Sequence, residues 1–221
     1  MRILAFTDLH GSFDVVEGVL EGEKEYDLII IGGDLTTIGT PRQAEEGLRR
    51  LQHFERPVVA VAGNMDPVPI DATLTRLGVS INGCGIVEGG VGFFGVSGAP
   101  HSPLHTPYEI AEEEIAKRAE AGWADVAGAK QTVFVPHAPP WGTALDVVRF
   151  GTHVGSVAVL RFIELHQPSA VVCGHIHEAR GIDRLGSSVL VNCGAAGRGF
   201  YAFLEVGEQV RVELREAGMR K

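Results

Sequence analysis

Residues 2–11, RILAFTDLHG, decide the reading of this chain: an apolar run leads straight into Asp8 and His10, and Gly11 lets the backbone turn away behind them. Such a short apolar run reads as a strand buried on both faces, with the polar pair just past its C-terminal end. The i, i+2 spacing of Asp8 and His10 turns both side chains to one side in extended chain. The same construction recurs along the sequence. DLIII (27–31) leads to Asp34 in GGDLT, VVAV (58–61) to Asn64 in AGNMD, TVFV (132–135) to His137 in VPHAPP, and AVVC (170–173) to His175 and His177 in CGHIHE. In open α/β sheets the C-terminal strand edge is where ligands bind, because several segments converge there without closing the core.

The converging side chains are four imidazoles, two carboxylates and one carboxamide. Oxygen alone would suit magnesium or calcium, and thiolates would suit structural zinc. Mixed nitrogen and oxygen points to manganese, iron, cobalt, nickel or catalytic zinc. Seven ligands exceed the needs of one such ion. Two divalent ions sharing Asp34 would leave positions open for water and substrate, the arrangement used for displacement at phosphorus.

The ordered motifs D-x-H, G-D, G-N-x-D, H and G-H-x-H resemble those of the calcineurin-like metallophosphoesterases, from Asp8 to His177 with further likeness at Asn192 and Gly194. Within that family, HAPPWGTALD and CGHIHEARG are similar to the small phosphodiesterase-like branch. The resemblance implies an α/β fold of two stacked mixed β-sheets flanked by helices, a four-layer sandwich. It also implies that Asp8, His10, Asp34 and His177 hold one metal, and that Asp34, Asn64, His137 and His175 hold the other. Manganese comes first among the candidate ions. The implied activity is hydrolysis of a small phosphate ester, most simply a diester, by a metal-bridging hydroxide, with Asp34, Asn64 and His137 as catalytic residues. Most members carry a histidine after the G-N asparagine to assist the leaving group or bind phosphate, and here that residue is Met65. A thioether donates no proton. Rates should therefore depend steeply on the leaving group. Two alternatives remain: a phosphomonoesterase or protein phosphatase, disfavoured by Met65, and a non-catalytic binding module of the retromer-subunit kind, disfavoured by the complete ligand set.

The rest of the chain agrees with this reading. With 221 residues, 45% of them hydrophobic, it can bury the core of a single domain spanning residues 1–221. No apolar stretch reaches about 18 residues, and the N-terminus enters a strand at once, so a cytoplasmic protein with no membrane partner is expected. Cys84, Cys173 and Cys193 lack C-x-x-C spacing and read as reduced, packed thiols. A net charge of −9 without clustered Lys and Arg argues against general nucleic-acid binding. It does not argue against an anionic substrate, because two ions, two carboxylates and a hydroxide leave the site at about +1. Self-association into an oligomer is left open.

Expected helices are 12–22, 41–54, 68–77, 107–121 and 154–167. The antiparallel-looking segments 188–192, 200–205 and 209–214, with 85–88 and 91–96, are expected to form a second sheet packed on the first. Asp66 reads as a cap for the helix near Val68, His53 and His166 as helix-end residues, and Glu112–Glu114 as a solvated helix face with the option of covering the site. His101, in the loop GAPHSPLHTP, and Arg198 are the candidate substrate contacts, and Asn192 with Gly194 should shape the loop beside the site.

Overall fold

The computed structural model describes residues 1–218. Strands and helices alternate at first: β1 (Arg2–Phe6), α1 (Phe13–Gly22), β2 (Leu28–Gly32), α2 (Pro41–Gln52), β3 (Val58–Val61) and α3 (Pro69–Arg76). There follow β4 (Gly85–Glu88), β5 (Val91–Val96), the two-residue β6 (Ala99–Pro100) and β7 (Glu109–Ile110), α4 (Glu112–Val126) and β8 (Gln131–Pro136). A short hairpin of β9 (Val147–Val148) and β10 (Thr152–His153) precedes α5 (Val157–His166) and β11 (Ala170–Cys173). The chain closes with β12 (Gly181–Leu185), β13 (Ser188–Asn192), β14 (Phe200–Val206) and β15 (Val210–Glu216).

Two sheets stack between two helical layers. The first has the order β15-β14-β1-β2-β3 and the second β12-β13-β11-β8-β5-β4. The alternation of side chains along each strand builds the layers. Leu4 and Phe6 of β1 point to the core under α1, α2 and α3, while Ile3 and Ala5 point to the core between the sheets. In the second sheet, Phe94, Phe134 and Val171 pack beneath α4 and α5, and Phe93, Val133 and Val172 face inward. Burial on both faces explains the continuous apolar runs.

Strand membership departs from the sequence expectation. The segments 132–135 and 170–173 do not extend the β1-β2-β3 sheet; they lie in β8 and β11, parallel to β5 and β13 in the second sheet. Conversely, β14 and β15 join the first sheet, β14 running antiparallel to β1 with Ile3 opposite Leu204. β13 is parallel to β11, and its antiparallel partner is β12, a strand the sequence reading did not anticipate. An apolar run records burial on two faces and says nothing about which sheet supplies its neighbours.

Helix α4 also starts later than expected. Residues 109–110 pair as β7 with β6, and the helix begins at Glu112 with three acidic residues in its first turn, where they suit the positive end of the dipole. No helix among the described residues is long and apolar enough to cross a membrane.

Candidate metal centre

All seven candidate ligands lie just past the C-terminal ends of β1, β2, β3, β8 and β11, so the two stacked sheets contribute to one site. The backbone there is held in uncommon conformations. Asp8, His10, Asp34 and His175 have φ of 54°, 48°, 50° and 67°, in the left-handed region that non-glycine residues rarely adopt. Such residues cost roughly 1–3 kcal/mol each and persist where the surrounding structure imposes them, commonly at functional sites. Two glycines let the loops interlock. A Cβ at Gly63 would collide with the Asp34 carboxylate, and one at Gly174 with that of Asp8.

One ligand atom from each of Asp8, His10 and His177 lies within 4.8 Å of the others, and the same holds for Asp8, Asp34 and His137. His10 Nε2 is 3.3 Å from His177 Nε2, which in turn is 3.3 Å from Asp8 Oδ1. Asp34, a member of the second group, also faces the first, its Oδ2 3.7 Å from His10 Nε2 and its Oδ1 3.6 Å from His137 Nε2. Asn64 Oδ1 completes the second group, 3.0 Å from His137 Nε2 and 2.8 Å from His175 Nδ1.

Polar neighbours aim these side chains. The Gly32 carbonyl, 2.9 Å away, can only accept, so His137 Nδ1 carries the proton and Nε2 presents its lone pair inward. Thr37 Oγ1 sits 2.9 Å from His10 Nδ1 and orients that ring. The His175 amide donates to Asp8 at 3.0 Å, and the Met65 amide donates to Asp34 Oδ1 at 2.8 Å. Buried and half-buried oxygen and nitrogen ligands thus crowd one small volume, a set that fits divalent cations.

The titration behaviour points the same way. Burial opposes the charge on Asp34, and the neighbouring Asp8 and Asp66 carboxylates add to it against the pull of His137, raising its pKa to about 7. Asp8 feels the same burial, but its contact with His177 and the field of His137 outweigh it and bring it down to about 2. His175 is lowered to about 3 by burial and by the adjacent imidazoles, so it offers a neutral ring. His177 is raised, chiefly by its bond to Asp8.

The other residues singled out in the sequence divide. Asn192 shapes the adjacent loop as expected: its amide donates to the carbonyls of Leu145, Gly174 and Ile176, and its Oδ1 accepts from Gly194. Arg198 is exposed and near enough to His177 to act on its charge. His101 is not brought to the cluster; its side chain is 69% exposed and its nearest charged partner is Glu109 at 3.9 Å. His53 caps the C-terminus of α2, and His166 pairs with Glu120 against Trp123.

Asp66 does not cap α3. It is fully buried and accepts from the amides of Leu35, Thr36 and Gly63 and from the Thr36 hydroxyl, tying the Asp34 loop to the Asn64 loop. Glu112 neither stays solvated nor covers the site; it accepts from Ser156, Val157 and Ala158 at the start of α5. Thr37 was missed altogether, because neither threonine in GGDLTTIG carries a distinguishing signal.

Comparison with known proteins gives this geometry its context. Residues 1–179 match the family described as calcineurin-like phosphoesterase. The chain belongs to the calcineurin-like phosphoesterase family. It is 32% identical over 196 residues to the uncharacterized protein MJ1162 of Methanocaldococcus jannaschii, a match covering 87% of each chain. Among solved structures, the phosphoesterase resembles TT1561 of Thermus thermophilus with a TM-score of 0.76 at 20% identity, covering 97% of this chain and 98% of that one. It also resembles a dimetal phosphatase from Danio rerio, with a TM-score of 0.68 at 13% identity and coverage of 98% and 96%. At these identities the structural likenesses establish the fold, and the family membership identifies a metal-dependent phosphoesterase.

Proposed function

We propose that this phosphoesterase is a cytoplasmic two-metal phosphodiesterase acting on a small phosphate ester. The observation that carries the reading is the placement of Asp34, whose two carboxylate oxygens face His10 on one side and His137 on the other. One carboxylate can thereby serve two ions. Asp8, His10, Asp34 and His177 would hold the first, and Asp34, Asn64, His137 and His175 the second. Two divalent ions bound there, manganese foremost, would provide Lewis acidity and a hydroxide at neutral pH.

The chain's own residues set the rest of the chemistry. His137, locked through Nδ1 by the Gly32 carbonyl, keeps a fixed lone-pair direction, and Asn64 holds its amide oxygen between two imidazoles. Met65 contributes only its amide to Asp34, so position 65 has no side-chain proton to give. Together with the likeness of HAPPWGTALD and CGHIHEARG to the small phosphodiesterase-like branch, this favours a diester over a monoester. Arg198, exposed and within electrostatic reach of His177, is available to a phosphate oxygen.

Manganese titration of the metal-free protein tests the reading. Two ions per chain are expected at saturation, roughly 3.5–4 Å apart by anomalous scattering, with turnover of an aryl phosphodiester. Asp34→Asn should bind neither ion tightly and abolish turnover, whereas His53→Ala should change neither. Saturation at a single ion, or full activity in Asp34→Asn, would overturn the two-metal assignment; two bound ions without turnover of any ester would favour a binding module.

A further inference from the structure

The excursion between β8 and α5, residues 137–156, contains a carboxylate–imidazole pair that the metal centre does not use. Asp146 is fully buried, and its oxygens accept from the amides of Gly142, Thr143 and Gly155 at 3.1, 3.1 and 3.0 Å. Its Oδ1 also lies 2.7 Å from His153 Nδ1. A carboxylate saturated by donors in this way only accepts, so His153 Nδ1 carries a proton. Nε2 is then the free atom of a side chain that is 36% exposed, and Trp141 flanks the ring at 5.9 Å between centroids. This is how a positioning carboxylate presents an imidazole for proton transfer.

The pair is fastened to the metal-site edge. One amide, that of Asn192, donates to the Leu145 carbonyl beside Asp146 and to the Gly174 and Ile176 carbonyls that flank His175. Strand β9 packs against the turn His177–Ala179, and the Gly174 amide donates to the His137 carbonyl. The hairpin bearing His153 therefore stands against the turn that begins at His177.

We propose that His153 is the general acid of this phosphoesterase, delivering a proton to the departing alcohol oxygen while Asp146 holds the ring. The proposal rests on the phosphodiesterase reading. In the step, a hydroxide oxygen bonds to phosphorus as the bond from phosphorus to the alcohol oxygen breaks. The electron pair of that bond passes to the leaving oxygen, which takes the Nε2 proton of the imidazolium. Neutral imidazole, an alcohol and a phosphate monoester result, and water reprotonates Nε2. Leaving-group dependence in the wild type is then shallow, in place of the steep dependence that Met65 alone would produce.

The experiment compares wild type, His153→Ala, His153→Gln and the exposed hairpin control Thr152→Ala on methyl 4-nitrophenyl and methyl phenyl phosphate, with manganese content read in the same samples. His153→Ala should slow the phenyl ester by about 10²- to 10⁴-fold and the nitrophenyl ester by less than about 10-fold, at two ions per chain. His153→Gln keeps a donor to Asp146 and should show the same selectivity, Thr152→Ala should match wild type, and added imidazole should restore phenyl ester turnover in His153→Ala. Equal slowing of both esters, no slowing, or full recovery by glutamine would show an anchoring role and overturn the proposal, with nitrophenyl turnover in the wild type leaving the diesterase reading standing. Wild type that binds manganese but hydrolyses neither ester overturns both.

Discussion

Asp66 shows how one buried side chain controls the placement of others. Its carboxylate is the acceptor for three backbone amides and a hydroxyl drawn from the β2–α2 and β3–α3 loops. Asp66→Ala would leave those amides unpaired in a buried site, at roughly 1–3 kcal/mol each before relaxation. Thermal unfolding should report a loss of about 3 kcal/mol or more, and Asp66→Asn, which keeps one acceptor oxygen, a smaller loss. A near-neutral Asp66→Ala would mean that water replaces the carboxylate. The residue was legible in AGNMD as an acid near a helix start, but its partners lie up to 31 positions away, and local spacing pointed to the wrong ones.

At the scale of elements, two glutamates act as fasteners. Glu112, in the first turn of α4, accepts from two amides and the Ser156 hydroxyl at the N-terminus of α5, so it caps a helix other than its own. Glu112→Ala should cost about 1–2 kcal/mol in urea unfolding and leave manganese stoichiometry at its wild-type value. A loss of metal instead would mean that α4 supports the site directly. Glu109 closes the loop 102–106 in the same way. Burial opposes its charge, but the amides and hydroxyls of Ser102 and Thr106 outweigh that and lower its pKa from 4.5 to about 2. A carboxylate lowered on folding stabilises the loop fully above about 4.5, and that contribution disappears as pH falls toward about 2. Amide exchange at Ser102 and Thr106, corrected for intrinsic rate, should lose protection across that window, and Glu109→Gln should remove the pH dependence. Protection unchanged at low pH would contradict the assignment.

For the whole molecule, the order of strands has a consequence for folding. The family match spans residues 1–179, yet β13 completes the inner row of the second sheet and β14 covers the flank of β1. Val191, Ala202, Leu204 and Val206 from these late strands share the inter-sheet core with Ile3, Ala5 and Val172. A fragment ending at Ala179 would expose that core and leave β1 without its antiparallel neighbour. Circular dichroism and urea titration should find it without cooperative unfolding, whereas the full chain should unfold as one unit. A cooperatively folded fragment would show that the first 179 residues suffice as a domain.

By itself the sequence determined what depends on a few adjacent residues. Two-faced burial marked the core strands, and the polar residue closing each strand marked all seven candidate ligands, because a strand's end and its exit loop are set locally. The helix 107–121 was misplaced where β7 intervenes, since an amphipathic pattern does not record where pairing stops. Tertiary structure alone decided which sheet each strand joins, why Asp66 is buried, that Asp146 meets His153, and that Asn192 ties Leu145 to the carbonyls on either side of His175. Those outcomes rest on hydrogen bonds and packing between segments far apart in the chain, and a buried donor takes whatever acceptor the fold brings within about 3 Å.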